Sequence, residues 1–104
     1  MIMQKTDQKQ CGKLLKVIGD FWTLSIIMEL RDGELRFCQL QRALGNLNPV
    51  TLTNRLKKLE KAKFIYRREN PNEKLAVSYT LSKRGQGMLP VLTEVQKFAA
   101  KYRS

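Results

Sequence analysis

Histidine is absent from these 104 residues, and cysteine occurs only at Cys11 and Cys38. A four-ligand zinc site would need carboxylates to complete it, and a Cys–His catalytic pair is excluded. There is no phosphate-cradling glycine loop and no evident pair of carboxylates at one site, so the expectation is a protein that is not an enzyme and needs no metal or cofactor. Long apolar runs are missing too. Nothing approaches the roughly 18 residues of a membrane span or the shorter core of a signal peptide, which predicts a cytoplasmic protein with no membrane partner. In such a chain two distant cysteines read as free thiols rather than a structural disulfide.

Acidic residues are scarce. Nine Asp plus Glu against twenty Lys plus Arg leave a net charge of +11. A surplus of that size repels itself in the folded state unless a polyanion sits against it, and nucleic acid is the first candidate. The charge is also uneven, with eight basic and three acidic residues between Arg55 and Lys74.

With 42% hydrophobic residues, the chain has enough apolar side chains for one domain. Residues 1–10 are expected to form a flexible tail and residues 11–104 the domain. Leu14, Leu15, Val17 and Ile18 give a short first helix, ending near Gly19 with a left-handed cap. "FWTLSIIMELRDG" is apolar on both sides, through Trp22, Ile26, Ile27 and Leu30 and through Leu24 and Met28, which predicts a central buried helix. "ELRF" is a candidate short strand, and "CQLQRAL" a third helix.

The sharpest helix start is "NPVTLTNRLKKLEKA", where Asn48 can cap and Pro49 suits the first position. "FIYRRE" and "LAVSYTL" alternate as strands around "NPNEK", which has turn chemistry, so a β-hairpin follows. Ser82 can cap a last helix over about 82–103, bent at Pro90. Its stripe of Leu89, Leu92, Val95, Phe98, Ala99 and Tyr102 outruns one small core. Either a second copy of the chain covers it, or it folds back on the first helix.

A helix pair with a tight break, a basic second helix and then a two-stranded hairpin is the order of a winged helix-turn-helix, mainly α with a small β wing. With Leu52, Leu56 and Leu59 inward, Val50, Asn54, Lys57 and Lys61 face outward and Thr51, Thr53, Arg55 and Lys58 flank them. That face suits the major groove: Thr and Asn can reach base edges, Val50 a thymine methyl, and Arg55, Lys57 and Lys58 phosphates. A solvated charged face is the plainer alternative. So is a small basic RNA- or ribosome-associated protein, although Tyr66 and Tyr79 look core-facing rather than available for base stacking.

The strings W-T-x-x-I-x-x-E-L, R-F-x-x-L, P-x-x-L-T-x-R-L-x-x-L-E and Y-x-L-x-x-x-G occur together here. Over residues 11 to 92 the chain resembles the HxlR-type family of MarR-like bacterial transcription regulators. The resemblance implies a homodimer on double-stranded DNA, read by the helix from Pro49 and by the wing. Its interface would lie on the first and last helices, at Leu14, Leu15, Ile18, Leu89, Leu92, Val95, Phe98 and Tyr102. Arg36 and Gln39, at the entry to the third helix, join the expected DNA contacts.

The resemblance also implies a cysteine at the first helix that answers electrophiles or oxidants, and Cys11 falls there. Lys9, Lys13 and a nearby helix start would favour its thiolate, against the alternative of an inert thiol. Cys38 stands where a serine usually caps the third helix, and is expected to be a small buried filler; a second sensor thiol at a helix start is the alternative. Val50 replaces a position that is often basic. Ala76 and Ser78 replace charged wing residues, which leaves the wing's backbone contacts to Arg68 and Lys74. Phe21, beside Trp22, is expected to pack in the interface or core; an aromatic pair lining an effector pocket is the alternative.

Overall fold

The computed structural model describes residues 5–72 and 76–103. Its order is α1 (Lys5–Ile18), α2 (Phe21–Glu29), β1 (Leu35–Arg36), α3 (Phe37–Ala43), α4 (Pro49–Lys61), β2 (Ile65–Glu69), β3 (Val77–Leu81) and α5 (Lys83–Lys101). The fold is mainly helical with a small sheet. β3 lies between β1 and β2 and is antiparallel to both. The expected hairpin is therefore one edge of a three-stranded sheet, because Leu35 and Arg36 pair with Tyr79 and Ser78. No helix among the described residues is long and apolar enough to cross a membrane.

α2 is the centre. Thr23, Ile26, Ile27 and Leu30 are buried, and the helix packs on α4 and α5. Leu52, Leu56 and Leu59 face it from α4, while Leu40, Phe64, Ile65, Tyr79, Leu81, Met88 and Leu92 close the core around them. Ile18 and Leu92, expected at an interface, belong to this core. Both stand near the junctions where α1 and α5 meet α2, so their faces are already covered within one chain.

Three further expectations change. Residues 5–10 are the first turns of α1 rather than a tail, since Lys, Thr, Asp and Gln carry no helix breaker and the ladder runs outward unopposed. Residues 1–4 lie outside the described residues. Gly19 is not left-handed; its amide donates to the Leu15 carbonyl at 2.7 Å, and a Cβ there would stand 2.3 Å from that oxygen. Cys38 is exposed, and the cap of α3 is Arg36, whose amide donates to the Gln39 side chain at 2.8 Å.

The turn between α3 and α4 is fixed from both sides. Gly45 and Asn46 take φ of 71° and 59°, and Asn46 N–H donates to the Gln41 carbonyl at 2.9 Å. The Gln41 amide then donates to the Leu47 carbonyl at 3.0 Å. A second corner joins α4 to α5. Buried Ser82 donates its hydroxyl to the Lys63 carbonyl at 2.6 Å and accepts from Gly85 N–H at 3.1 Å, as the expected cap. Gly85 lies so close that a Cβ would stand 2.2 Å from the Phe64 carbonyl oxygen.

Gly85→Ala therefore trades a helix-propensity gain of about 1 kcal/mol for a backbone collision, and overpacking of this kind costs about 1–3 kcal/mol. The urea midpoint should fall. An unchanged or raised midpoint would contradict the close approach of α5 to the α4–β2 corner.

Candidate nucleic-acid interface

The first amides of α4 are taken by one residue. Asn48 Oδ1 accepts from Val50 N–H at 2.8 Å and from Thr51 N–H at 3.4 Å, and its carbonyl accepts from Leu52 N–H at 3.0 Å. Pro49 needs no partner there. With three leucines inward, Pro49, Val50, Asn54, Lys57, Lys58 and Lys61 are exposed, while Thr51 and Thr53 are half-buried. These side chains form one continuous outward face.

Arg55 does not join it. Its Nε donates to Asp20 Oδ2 at 2.6 Å, an ion pair in which both side chains are about one-third exposed (34% and 30%). Asp20 is at the same time the N-cap of α2, accepting from Trp22 N–H at 2.8 Å, Thr23 N–H at 3.3 Å and the Thr23 hydroxyl at 2.9 Å. Burial pushes the Asp20 carboxyl up, but these hydrogen bonds and the Arg55 charge outweigh it and hold it below its ordinary value. Arg55 thus orients α4 against α2, and the expected phosphate contact there is corrected to an internal latch. Asp20 was missed in the sequence. A capping residue directly before a helix is a visible signal, whereas its partner 35 positions away is not.

Beside α4 lies a groove of about 520 Å³ between α3 and the sheet, lined by Phe37, Cys38, Thr53, Lys57, Arg67 and Tyr79 among others. Arg67 pairs with Tyr79 across the strands and holds Glu69 at 2.6 Å. Burial raises the Tyr79 phenol above its usual range, and the Arg67 charge only partly offsets this. Arg36 and Gln39 lie at the start of α3 beside Cys38 and Arg42, around a second groove. Arg68 is exposed, with Glu34 at 3.8 Å. Lys74 lies outside the described residues. Arg42 and Arg67 add positive charge that the sequence reading left out; alternation along β2 places Arg67 on the groove side. Tyr66 is exposed at 59%, contrary to expectation, because it pairs with Thr80 on the sheet's outer face.

A second surface is apolar. Val91, Val95, Phe98 and Tyr102 are exposed at intervals of four, three and four residues along α5, and the Phe98 and Tyr102 rings lie 4.8 Å apart. From Thr93 onward every described residue of α5 is exposed, so the stripe does not fold back on α1. Leu15 and Phe21 are exposed, Phe21 at 70% with its ring edge against Trp22, while Leu14 and Leu89 are half-buried. Cys11 is partly exposed as the seventh residue of α1. It stands beyond the first turn, where a helix N-terminus acts on a thiol.

The sequence matches the family model described as HxlR-like helix-turn-helix over residues 17–104. An uncharacterized HTH-type transcriptional regulator of Bacillus subtilis (strain 168), YvaP, is 30% identical over 90 residues, covering 86% of this chain and 83% of YvaP. The reduced form of the transcriptional regulator YodB from B. subtilis shares the fold with a TM-score of 0.82 and 26% identity, over 99% of this chain and 97% of that one. The quinone-bound YodB from the same organism gives 0.77 and 27%, over 89% and 97%.

The latch has a pH signature. Because Asp20's folded pKa is depressed, its contribution to stability is present above the ordinary carboxylate value and is lost as pH falls through the lower folded one. At neutral pH Asp20→Ala should cost about 1–2 kcal/mol, the usual loss for a removed cap. Urea unfolding should show the gap between wild type and Asp20→Asn closing as pH drops below about 3.9. A gap that stays constant to about pH 2 would refute the ionised latch.

Proposed function

The chain belongs to the HxlR-like helix-turn-helix family of DNA-binding transcriptional regulators, and from that premise we propose that it works as a homodimer on an inverted repeat. The outward face of α4 carries the reading. Val50 and Asn54 are offered to base edges ahead of Lys57, Lys58 and Lys61, and the basic wing strand follows directly. Thr51 and Thr53 flank the base-reading face. Arg36 and Gln39 at the entry to α3, with Arg68 on the wing, supply backbone contacts beside the same groove. The RNA alternative loses ground, because Tyr66 is an isolated exposed ring on the sheet rather than a stacking platform.

Dimerisation uses the apolar stripe of α5 from Val91 to Tyr102, with Leu14, Leu15 and Leu89 at its margin. It places the two α4 helices about 34 Å apart, one turn of duplex. Cys11 is the thiol through which an oxidant or small electrophile would act. It lies one turn from Leu15 on the same side of α1, so an adduct there would enter the interface. YodB, whose fold this chain shares, is known in a quinone-bound form. The protein acts in the cytoplasm, where its DNA is.

Binding to a selected operator should weaken steeply with salt, by a log–log slope of about 0.9 per neutralised phosphate. A constant that stays flat between low and moderate salt would sink the DNA reading. Lys58→Ala should weaken selected and random duplexes alike and reduce that slope by about one, whereas Asn54→Ala should change which sequences are preferred. Equal effects of both changes on selected and random DNA would contradict these roles. In sedimentation, Phe98→Glu should give folded monomers, while Leu92→Glu should unfold the chain because Leu92 is core; a dimer surviving Phe98→Glu would place the interface elsewhere. For the sensor role, Cys11 should react with a maleimide faster than a free thiol at neutral pH, and a rate no faster would end that role.

A further inference from the structure

A helix N-terminus on DNA ordinarily has free amides to offer a phosphate. The tip of α4 has none: Pro49 carries no N–H, and those of Val50, Thr51 and Leu52 all go to Asn48. What the tip offers instead is apolar. Val50 is 67% exposed, Pro49 is exposed beside it, and the two share a shallow notch of about 210 Å³ with Thr53 and Asn54. An exposed valine thus stands at the most forward point of a basic helix, most of its side chain uncovered.

Base edges in the major groove present acceptors, donors and one apolar group, the 5-methyl of thymine. We infer that α4 reads an A·T-rich step, with Val50 and the Pro49 ring enclosing a thymine methyl and the Asn54 amide hydrogen-bonding an adenine. The inference rests on the DNA-binding reading above. Val50 and Asn54 are one helical turn apart, about 5–6 Å between Cβ atoms. Base pairs stack about 3.4 Å apart, so the two contacts fall on neighbouring pairs or on pairs one step further apart. Guanine and cytosine both lack the methyl: guanine would set its O6 and N7 acceptors against a tip whose backbone amides are all taken, and cytosine would bring an amino group to a valine. Each puts a polar base edge against the apolar Val50 side chain, which is where discrimination arises. The lysines at 57, 58 and 61 lie further along the helix, where they hold the backbone without competing for this notch.

The test removes a single methyl group. An operator is selected from a random duplex pool with the full chain, and each thymine is then replaced by 2′-deoxyuridine. At one or two positions in each half-site, loss of the methyl should weaken wild-type binding about fourfold, the effect of one buried methylene-sized group. With Val50→Ala, an exposed position whose change leaves the core intact, thymine and deoxyuridine should bind alike there. Equal binding of thymine and deoxyuridine by the wild type at every position would overturn the proposal. So would a methyl effect that persists undiminished in Val50→Ala. A pool that yields no enriched sequence would instead overturn sequence-specific DNA binding itself, and the thymine contact with it.

Discussion

Everything at the proposed DNA-facing surface depends on the rotation of α4 about its own axis, and three leucines set it. Leu52, Leu56 and Leu59 are each at most 1% exposed and pack against a helix, α2, whose Thr23, Ile26 and Ile27 are themselves fully buried. Turning α4 by one residue would rotate this seam by about 100°. It would carry leucines into water and either Lys57 and Glu60 or Arg55 and Lys58 into the core. Burial of a leucine is worth about 1.5–3 kcal/mol, so such a slip costs more than the marginal stability of a small domain allows. The outward face is therefore a consequence of the inward one.

Rotation alone does not fix where the helix begins or how it tilts, and polar contacts at its two ends do that. At the start, Asn48 gathers the first amides and Gln41 holds the preceding turn. Along one side the Asp20–Arg55 pair ties α4 to the head of α2. A lone surface ion pair would contribute little. This one shares a carboxylate already fixed by three donors from α2, so little side-chain entropy is left to lose when Arg55 docks. At the far end, Ser82, Gly85 and the Arg84 guanidinium, which donates to the Ala62 carbonyl at 2.9 Å, join the end of α4 to the start of α5. The helix proposed to read DNA and the helix proposed to dimerise thus meet at one corner.

The features legible in the sequence are those that local chemistry decides. Asn48 followed by Pro49 marks a helix start because both residues act within one turn, and the Leu52, Leu56, Leu59 spacing marks its inner face for the same reason. Ser82 was equally visible. What escaped depends on partners far along the chain. Arg55 looks like any basic flank until Asp20 is brought to it, and Leu35–Arg36 becomes a strand only because β3 offers an edge. Gly19 shows the subtler failure. Glycine at a helix end suggests a left-handed cap, but here the missing Cβ serves a close approach to the Leu15 carbonyl, which only the backbone geometry reveals. Ile18 and Leu92 lie on stripes that also include exposed residues, and periodicity cannot say where the core stops and a neighbour begins.

The net charge of +11 gives these pieces a common logic. In the proposed dimer two such chains repel one another, and Lys101 and the Glu94-paired Lys97 flank the stripe on α5, so the apolar contact would have to overcome the opposing field of the whole chain. Duplex DNA, with one negative charge per roughly 1.7 Å of axis, screens that repulsion when both copies bind side by side. In the proposed dimer, association of the two chains and binding of each to the duplex would be linked: whatever weakened the α5 contact would also weaken the DNA complex, and the duplex in turn would favour the pair. On that reading, a modification on α1 or α5 would not need to touch α4 to release DNA. It would have only to shift the balance between apolar burial and like-charge repulsion.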